Sequence, residues 1–171
     1  YNIIIASVTP MFNQEFFDNK DDLLLISRHG IGFNNVDVKA AKAHGTLVTI
    51  VPQLVERDSV AENELVNLLT MVRRTVPAAE RERAGRYEDR AEFMGNELSG
   101  KTFGVIGCGN IGSRVAELFS VFGGQVFIAD PDPKAPAGWL KNHNVQHVDL
   151  DTLLKNCDYV SLNASLNDGD Y

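Results

Sequence analysis

Short apolar runs alternate with amphipathic stretches along the whole chain, and the period changes each time from two residues to between three and four. In the first third, the runs at 3–6, 23–26 and 46–51 read as buried strands. Between them, 12–18 and 36–43 read as short helices, the second stopped by Gly45. Such alternation predicts parallel β-α-β units.

A longer helix is expected over 59–76. Ser59-Val60-Ala61-Glu62 has the form of a capping box, in which hydroxyl and carboxylate each satisfy a backbone N–H at the helix start. Ala61, Leu65, Leu68 and Val72 form one buried stripe, Arg73 and Arg74 suit the last turn, and Pro77 marks the end. From 78 to 96 the chain is charged and aperiodic, with Arg81, Arg83, Arg86 and Arg90 among five acids, which reads as a solvated surface arm. Strands are expected again at 102–106, 125–129, near Val145 and at 159–162. Between them fall helices after residue 110, near Trp139, and from a cap at Asp149 through Leu154. The helix after 110 has Ile111, Val115, Leu118, Phe119 and Phe122 on its inner face, and Gly123-Gly124 stops it.

The most informative motif lies at the first of these strand-to-helix junctions. Gly107-Cys108-Gly109-Asn110-Ile111-Gly112 follows an apolar run and opens an amphipathic one, and Asp130 closes the next run eighteen residues later. The three glycines suit a tight turn, a close approach of pyrophosphate to the backbone, and close packing of helix on strand. The helix N-terminus favours the phosphates, and an acid at Asp130 accepts ribose hydroxyls while repelling a 2′-phosphate. Strand, helix and acid agree with the glycines on a dinucleotide grip that takes NAD.

Composition narrows the remaining classes. With 44% apolar residues the chain can build a core, and no apolar stretch reaches membrane-spanning length. The excess of 23 acids over 16 Lys and Arg, with no dense basic cluster, argues against nucleic acid as a partner. Cys108 and Cys157 have neither a nearby partner nor zinc spacing, so reduced thiols, no metal and a cytoplasmic location are expected. The opening Tyr1-Asn2-Ile3-Ile4-Ile5 resembles a core strand rather than a signal peptide, and it has no initiating Met. A piece of a longer protein, incomplete at both ends, is the expectation.

The residues resemble a known family, the D-isomer-specific 2-hydroxyacid dehydrogenases, which includes phosphoglycerate dehydrogenases. The likeness rests on His29 through Asp37, the Ser59 to Glu62 helix start, Leu98-Ser99-Gly100-Lys101-Thr102, and Gly107 through Gly112, and it extends over the whole chain. It implies an α/β protein with a doubly wound parallel sheet, the NAD-binding Rossmann domain, joined to part of a flavodoxin-like substrate lobe. Residues 1–55 would be the end of the substrate lobe and 56–171 the first part of the cofactor domain. The implied activity is hydride transfer between NAD and a D-2-hydroxy acid, in a homodimer paired through the helix after Ser59 and the charged arm.

By the same resemblance the backbone of Ile31 and Gly32 binds the substrate carboxylate, which suits a turn that exposes successive N–H groups. Gly107, Gly109, Asn110, Ile111, Gly112 and Asp130 would hold the cofactor, joined by Ala164, Ser165 and Asp170 after the fourth strand. Members usually carry Pro near Ser165, and Thr or Asn at Asp170. The family's catalytic Arg, Glu and His would lie downstream of residue 171, and none of His29, His44, His143 and His147 matches that histidine. His29 adjoins the substrate loop, His44 lies near a helix end, and the other two fall in surface-like turns. An NAD(H)-sensing regulatory protein of the corepressor type, on the same scaffold, is the alternative reading. A third reading is another Rossmann enzyme such as an adenosylhomocysteinase, which shares the glycine turn but not the Gly30 to Asp37 loop.

Overall fold

Three parallel strands, β1 (Ile3–Ala6), β2 (Leu25–Arg28) and β3 (Leu47–Thr49), pair in the order β1-β2-β3 in the computed structural model, which describes residues 1–133 and 138–165. The second strand begins two residues later than its apolar run suggests. Ile3 lies opposite Leu25, while the N–H groups of Leu24 and Leu25 both donate to the Asn2 carbonyl. Leu23 is still buried, as part of the lead-in to the strand.

The two helices of this region are also trimmed by their caps. Asn13 accepts the Phe16 N–H and starts α1 (Gln14–Asp18), and Asp37 accepts the Lys39 and Ala40 N–H groups and starts α2 (Val38–Ala43). Phe12 and Val36, expected inside those helices, form instead an isolated parallel bridge that brings the two caps together. Phe12, Phe17, Leu23, Ile26, Val36, Ala40 and Ala41 form the core here.

The chain separates into two units, Tyr1–Glu56 and Arg57–Tyr171. The second opens with α3 (Arg57–Val72), whose Ala61, Leu68 and Val72 are buried as their spacing predicts. Two sequence expectations fail here. The helix starts at Arg57, so Ser59 is already in its first turn and does not occupy the cap position. The helix also stops before Pro77, because Arg74 turns left-handed at φ 53° and a new helix, α4 (Thr75–Arg83), begins immediately. Pro77 lies in the first turn of α4, where its missing N–H has no intrahelical acceptor to lose. Arg74 is held by a bond from Nη1 to the Glu92 carbonyl and by stacking on Phe93.

The charged arm is therefore structured. After α4 a 3-10 helix (Tyr87–Phe93) follows, and Asp89 takes both Arg81 and Arg86. Sequence alone misses this fold-back because the charges pair with each other rather than following a helical period.

Beyond the arm, β4 (Phe103–Ile106), α5 (Asn110–Ser120), β5 (Val126–Ala129), α6 (Trp139–Asn142), β6 (Val145–His147), α7 (Leu150–Asn156) and β7 (Tyr159–Leu162) alternate regularly. The four strands are parallel in the order β6-β5-β4-β7. The chain thus leaves β4 to one side for β5 and β6 and returns to the other side for β7. A crevice at the carboxyl ends of strands is expected where the order reverses in this way. α3 and α5 share one core, with Ala61, Leu68 and Val72 joined to Val115, Ala116 and Phe119. Asp149 caps α7 as expected, accepting the Thr152 N–H.

Candidate dinucleotide-binding site

The glycine turn leaves β4 at the reversal point of the sheet, and its three glycines have different physical reasons to be there. Gly107 has φ 86°, a conformation that disfavours any side chain, and a Cβ there would meet the backbone of Ala164. At Gly112 a Cβ would run into the Gly107 carbonyl, so this glycine lets α5 lie against the turn. Gly109 differs from both. Its φ of −79° suits any residue, and a Cβ there would meet nothing within 4 Å. Neither conformation nor packing demands glycine at 109, whereas a ligand pressed against the backbone would.

Gly109 is also the cap of α5, so Asn110 and Ile111 occupy the first helical positions, whose N–H groups have no carbonyl one turn earlier within the helix. That end carries the positive side of the helix dipole and suits a phosphate. Beside it, Asp130 accepts the Cys108 N–H at 2.6 Å through one carboxylate oxygen and the Asp132 N–H at 2.8 Å through the other. The acid is thereby fixed at the end of β5 next to the turn. His147 lies on β6 rather than in a turn, and its Nε2 lies 2.9 Å from the Asp130 carbonyl oxygen. Burial, with the nearby Asp130 charge adding to it, pushes the Cys108 thiol up to about 11, so it is neutral at ordinary pH.

The far wall comes from the exit of β7. The Asn163 N–H donates to the Ile106 carbonyl at 2.7 Å, which carries Ala164 past the turn and into contact with Gly107. Glu64 of α3 anchors this exit, accepting hydrogen bonds from Ser161 Oγ and from Asn163 Nδ2, while Asn163 Nδ2 also donates to Ser161 Oγ at 2.7 Å. Sequence reading missed Glu64 and Asn163. The available signal was a single acid, Glu64, on the flank of the buried Ala61 and Leu68 and the half-buried Leu65. Ser165 follows Ala164 directly, and Asp170 lies outside the described residues.

The first unit holds the other candidate, the loop after β2. Arg28 is buried, its Nη1 donates to the His29 carbonyl, and its guanidinium occupies the space a Cβ on Gly30 would need. No hydrogen-bond acceptor meets its Nε among the described residues. Asn35 pins the other end of the loop by donating to the Ser7 and Pro10 carbonyls, each at 3.0 Å. The Ile31 N–H donates to Oε2 of Glu56 at 3.3 Å, and Gly32 is exposed. His29 is exposed, whereas His44 pairs with Asp18 and stacks on Phe17, and His143 Nδ1 lies 3.0 Å from the Trp139 carbonyl oxygen.

A parallel sheet with a glycine turn at its reversal point and an acid at the end of the next strand defines a Rossmann-type nucleotide-binding protein. Comparison with known proteins carries this further. Residues 65–171 match the NAD binding domain of the D-isomer specific 2-hydroxyacid dehydrogenases, and residues 1–80 match the catalytic domain of the same family. The chain belongs to that family. A Staphylococcus haemolyticus protein provisionally named as a 2-hydroxyacid dehydrogenase is 35% identical over 166 residues, covering 96% of this chain and 51% of the relative. Among solved structures, the apo D-lactate dehydrogenase of Escherichia coli superposes with a TM-score of 0.86 at 30% identity, over 99% of this chain and 53% of that one. The Aquifex aeolicus D-lactate dehydrogenase complexed with NAD and lactic acid gives 0.81 at 31% identity, over 97% and 49%. The chain spans about half the length of the curated relatives it matches.

Proposed function

We propose that the whole protein interconverts a D-2-hydroxy acid and its 2-oxo acid with NAD as the hydride carrier. The observation that carries this reading is Gly109, a glycine that neither its φ nor its packing requires and that leaves open room for a ligand against the backbone, beside an acid suited to ribose. The residues fit that group. Gly107, Gly109 and Gly112 shape the turn, the Asn110 and Ile111 N–H groups would take the pyrophosphate, Asp130 would accept ribose hydroxyls, and Ala164 and Ser165 would border the remainder. Asp170 is assigned to the same border by resemblance. NAD, when bound, would supply the hydride chemistry at the 2-oxo carbon. The Ile31 and Gly32 backbone holds the substrate carboxylate, and the buried Arg28 charge beneath the loop favours an anion there. The carbonyl oxygen needs a proton as hydride arrives, and a histidine suits that transfer. None of the four histidines in 1–171 is assigned that role, which falls with its Arg and Glu partners to the rest of the protein.

The reading includes a role for each unit, substrate carboxylate at 1–55 and cofactor at 56–171, and a cytoplasmic homodimer. No helix among the described residues is long and apolar enough to cross a membrane. Val66, Met71 and Val76 leave apolar surface exposed on α3 and α4, which supports pairing of two copies there. Full-length protein is offered NADH with pyruvate, glyoxylate and hydroxypyruvate, and NADH oxidation is followed by absorbance. Turnover of at least one is expected, and absence of turnover across a wider 2-oxo acid panel removes the reading. Light scattering that shows only monomer removes the dimer.

A further inference from the structure

The loop that holds the substrate carboxylate on this reading already holds one. Glu56, twenty-five residues along the chain from Ile31, donates no proton to this contact; its Oε2 accepts the Ile31 N–H at 3.3 Å. The surroundings favour an anion at that point. The Arg28 guanidinium lies under Gly30 with Nε lacking an acceptor among the described residues, and the Gly30 carbonyl accepts the Val51 N–H, which ties the loop to the segment after β3 that leads toward Glu56. At 3.3 Å the bond is long for a charge-assisted one, so the carboxylate occupies the donor without being locked to it. The Glu56 carboxylate and the substrate carboxylate therefore make the same demand on one donor.

We infer that Glu56 is an internal competitor that sets the affinity for substrate, and that its carboxylate leaves the Ile31 N–H before a 2-oxo acid docks. The inference rests on the assignment of Ile31 and Gly32 as the carboxylate anchor. Two carboxylates at one N–H repel each other, so they exclude one another there. Apparent affinity falls by the fraction of molecules whose anchor is open, so an anchor filled nine-tenths of the time weakens binding by about tenfold. Such a competitor raises the substrate level at which the enzyme fills, and it screens weakly bound monocarboxylates from the loop. It also keeps the Ile31 N–H paired while no substrate is present, which an empty anchor would not.

The test uses full-length protein with NADH bound and oxamate, a 2-oxo acid isostere, as the probe, with quenching of NADH fluorescence as the readout. Oxamate binding is expected to tighten in the order parent, Glu56→Gln, Glu56→Ala, by up to about tenfold. The glutamine keeps an acceptor but loses the charge. The Kd for NADH in the absence of oxamate is the control and is expected to stay constant. Gly32→Pro removes an anchor N–H at an exposed position and is expected to weaken oxamate, and the melting temperature of each variant is recorded alongside. If Gly32→Pro weakens oxamate but both Glu56 variants bind it as the parent does, or more weakly, Glu56 is no competitor and the anchor stands. If oxamate binds Gly32→Pro as it binds the parent, the anchor assignment itself falls. Should Gly32→Pro fail to fold, the two Glu56 variants decide alone, since tightening supports the inference and its absence overturns it.

Discussion

The Asp130 carboxylate receives the Cys108 N–H at 2.6 Å, so the acid expected to read the ribose also holds the glycine turn in place. One oxygen of the carboxylate faces the turn and the other faces Asp132. Because each carboxylate oxygen has more than one lone pair, both structural bonds leave acceptor capacity for a ribose hydroxyl. On the proposed reading, cofactor choice and turn geometry are coupled at a single side chain.

The first prediction concerns that coupling. A 2′-phosphate beside Asp130 meets a like charge, so full-length protein should bind NADH at least about tenfold more tightly than NADPH, roughly 1.4 kcal/mol. Asp130→Ala should narrow the gap and loosen both cofactors, because the Cys108 N–H loses its acceptor. Equal titration curves for the two cofactors on the parent would refute the preference.

The glycines separate fold from ligand. Gly109→Val should melt near the parent temperature, since its side chain enters open space, yet lose NADH affinity by tenfold or more on the order of ~1.4 kcal/mol. Gly112→Ala should do the reverse first, lowering the melting temperature as its Cβ meets the Gly107 carbonyl. Parent-like NADH binding by Gly109→Val would reduce the turn to a structural element.

A third prediction follows from the Cys108 thiol. Held neutral by burial, it should resist iodoacetamide at pH 8 in the folded state and react once the protein unfolds. The sign of the linked pH effect follows from the raised value. The folded state keeps its proton up to about 11, so the contribution to stability is complete below the ordinary thiol range and is lost as pH rises through about 11. Cys108→Ser should flatten that alkaline decline in urea titrations, and an unchanged slope counts against the assignment.

Core packing under β4 gives a fourth. Leu153 is fully buried and fills the space a Cβ on Gly104 would need. Leu153→Ala should cost about 2–5 kcal/mol in urea unfolding, as a cavity left in a close-packed core does. A loss under 1 kcal/mol would mean that α7 packs more loosely on β4 than the structure shows.

Much of the fold was legible because local signals agreed. The Asp149 cap, Val115 and Phe119 on the inner face of α5 and the run at 159–162 each fall where pattern alone puts them, while Phe122 lies beyond the helix, which ends at Ser120. Misplacements occur where a distant partner decides. Asn2 and Ile3 choose the start of β2, the bridge to Val36 removes Phe12 from α1, and Glu92 and Phe93 hold the left-handed Arg74 that ends α3. At the site, the glycine spacing and Asp130 were readable, since that motif is local in sequence. Glu64 and Glu56 were not, because each acts on residues brought to it only by the fold, Ser161 and Asn163 in one case and Ile31 in the other.

The position of β7 beside β4 also orders events in time. β5 joins β4 across a short crossover, but β7 must return over 56 residues, the separation between Thr102 and Asp158 at its base. Long-range parallel pairings close late in folding, since chain entropy is lost before their contacts form. Ala164, which backs Gly107, arrives only with β7. Until β7 has paired with β4 the glycine turn lacks this backing, so NADH, by binding the assembled turn, would favour molecules in which that long-range pairing has closed.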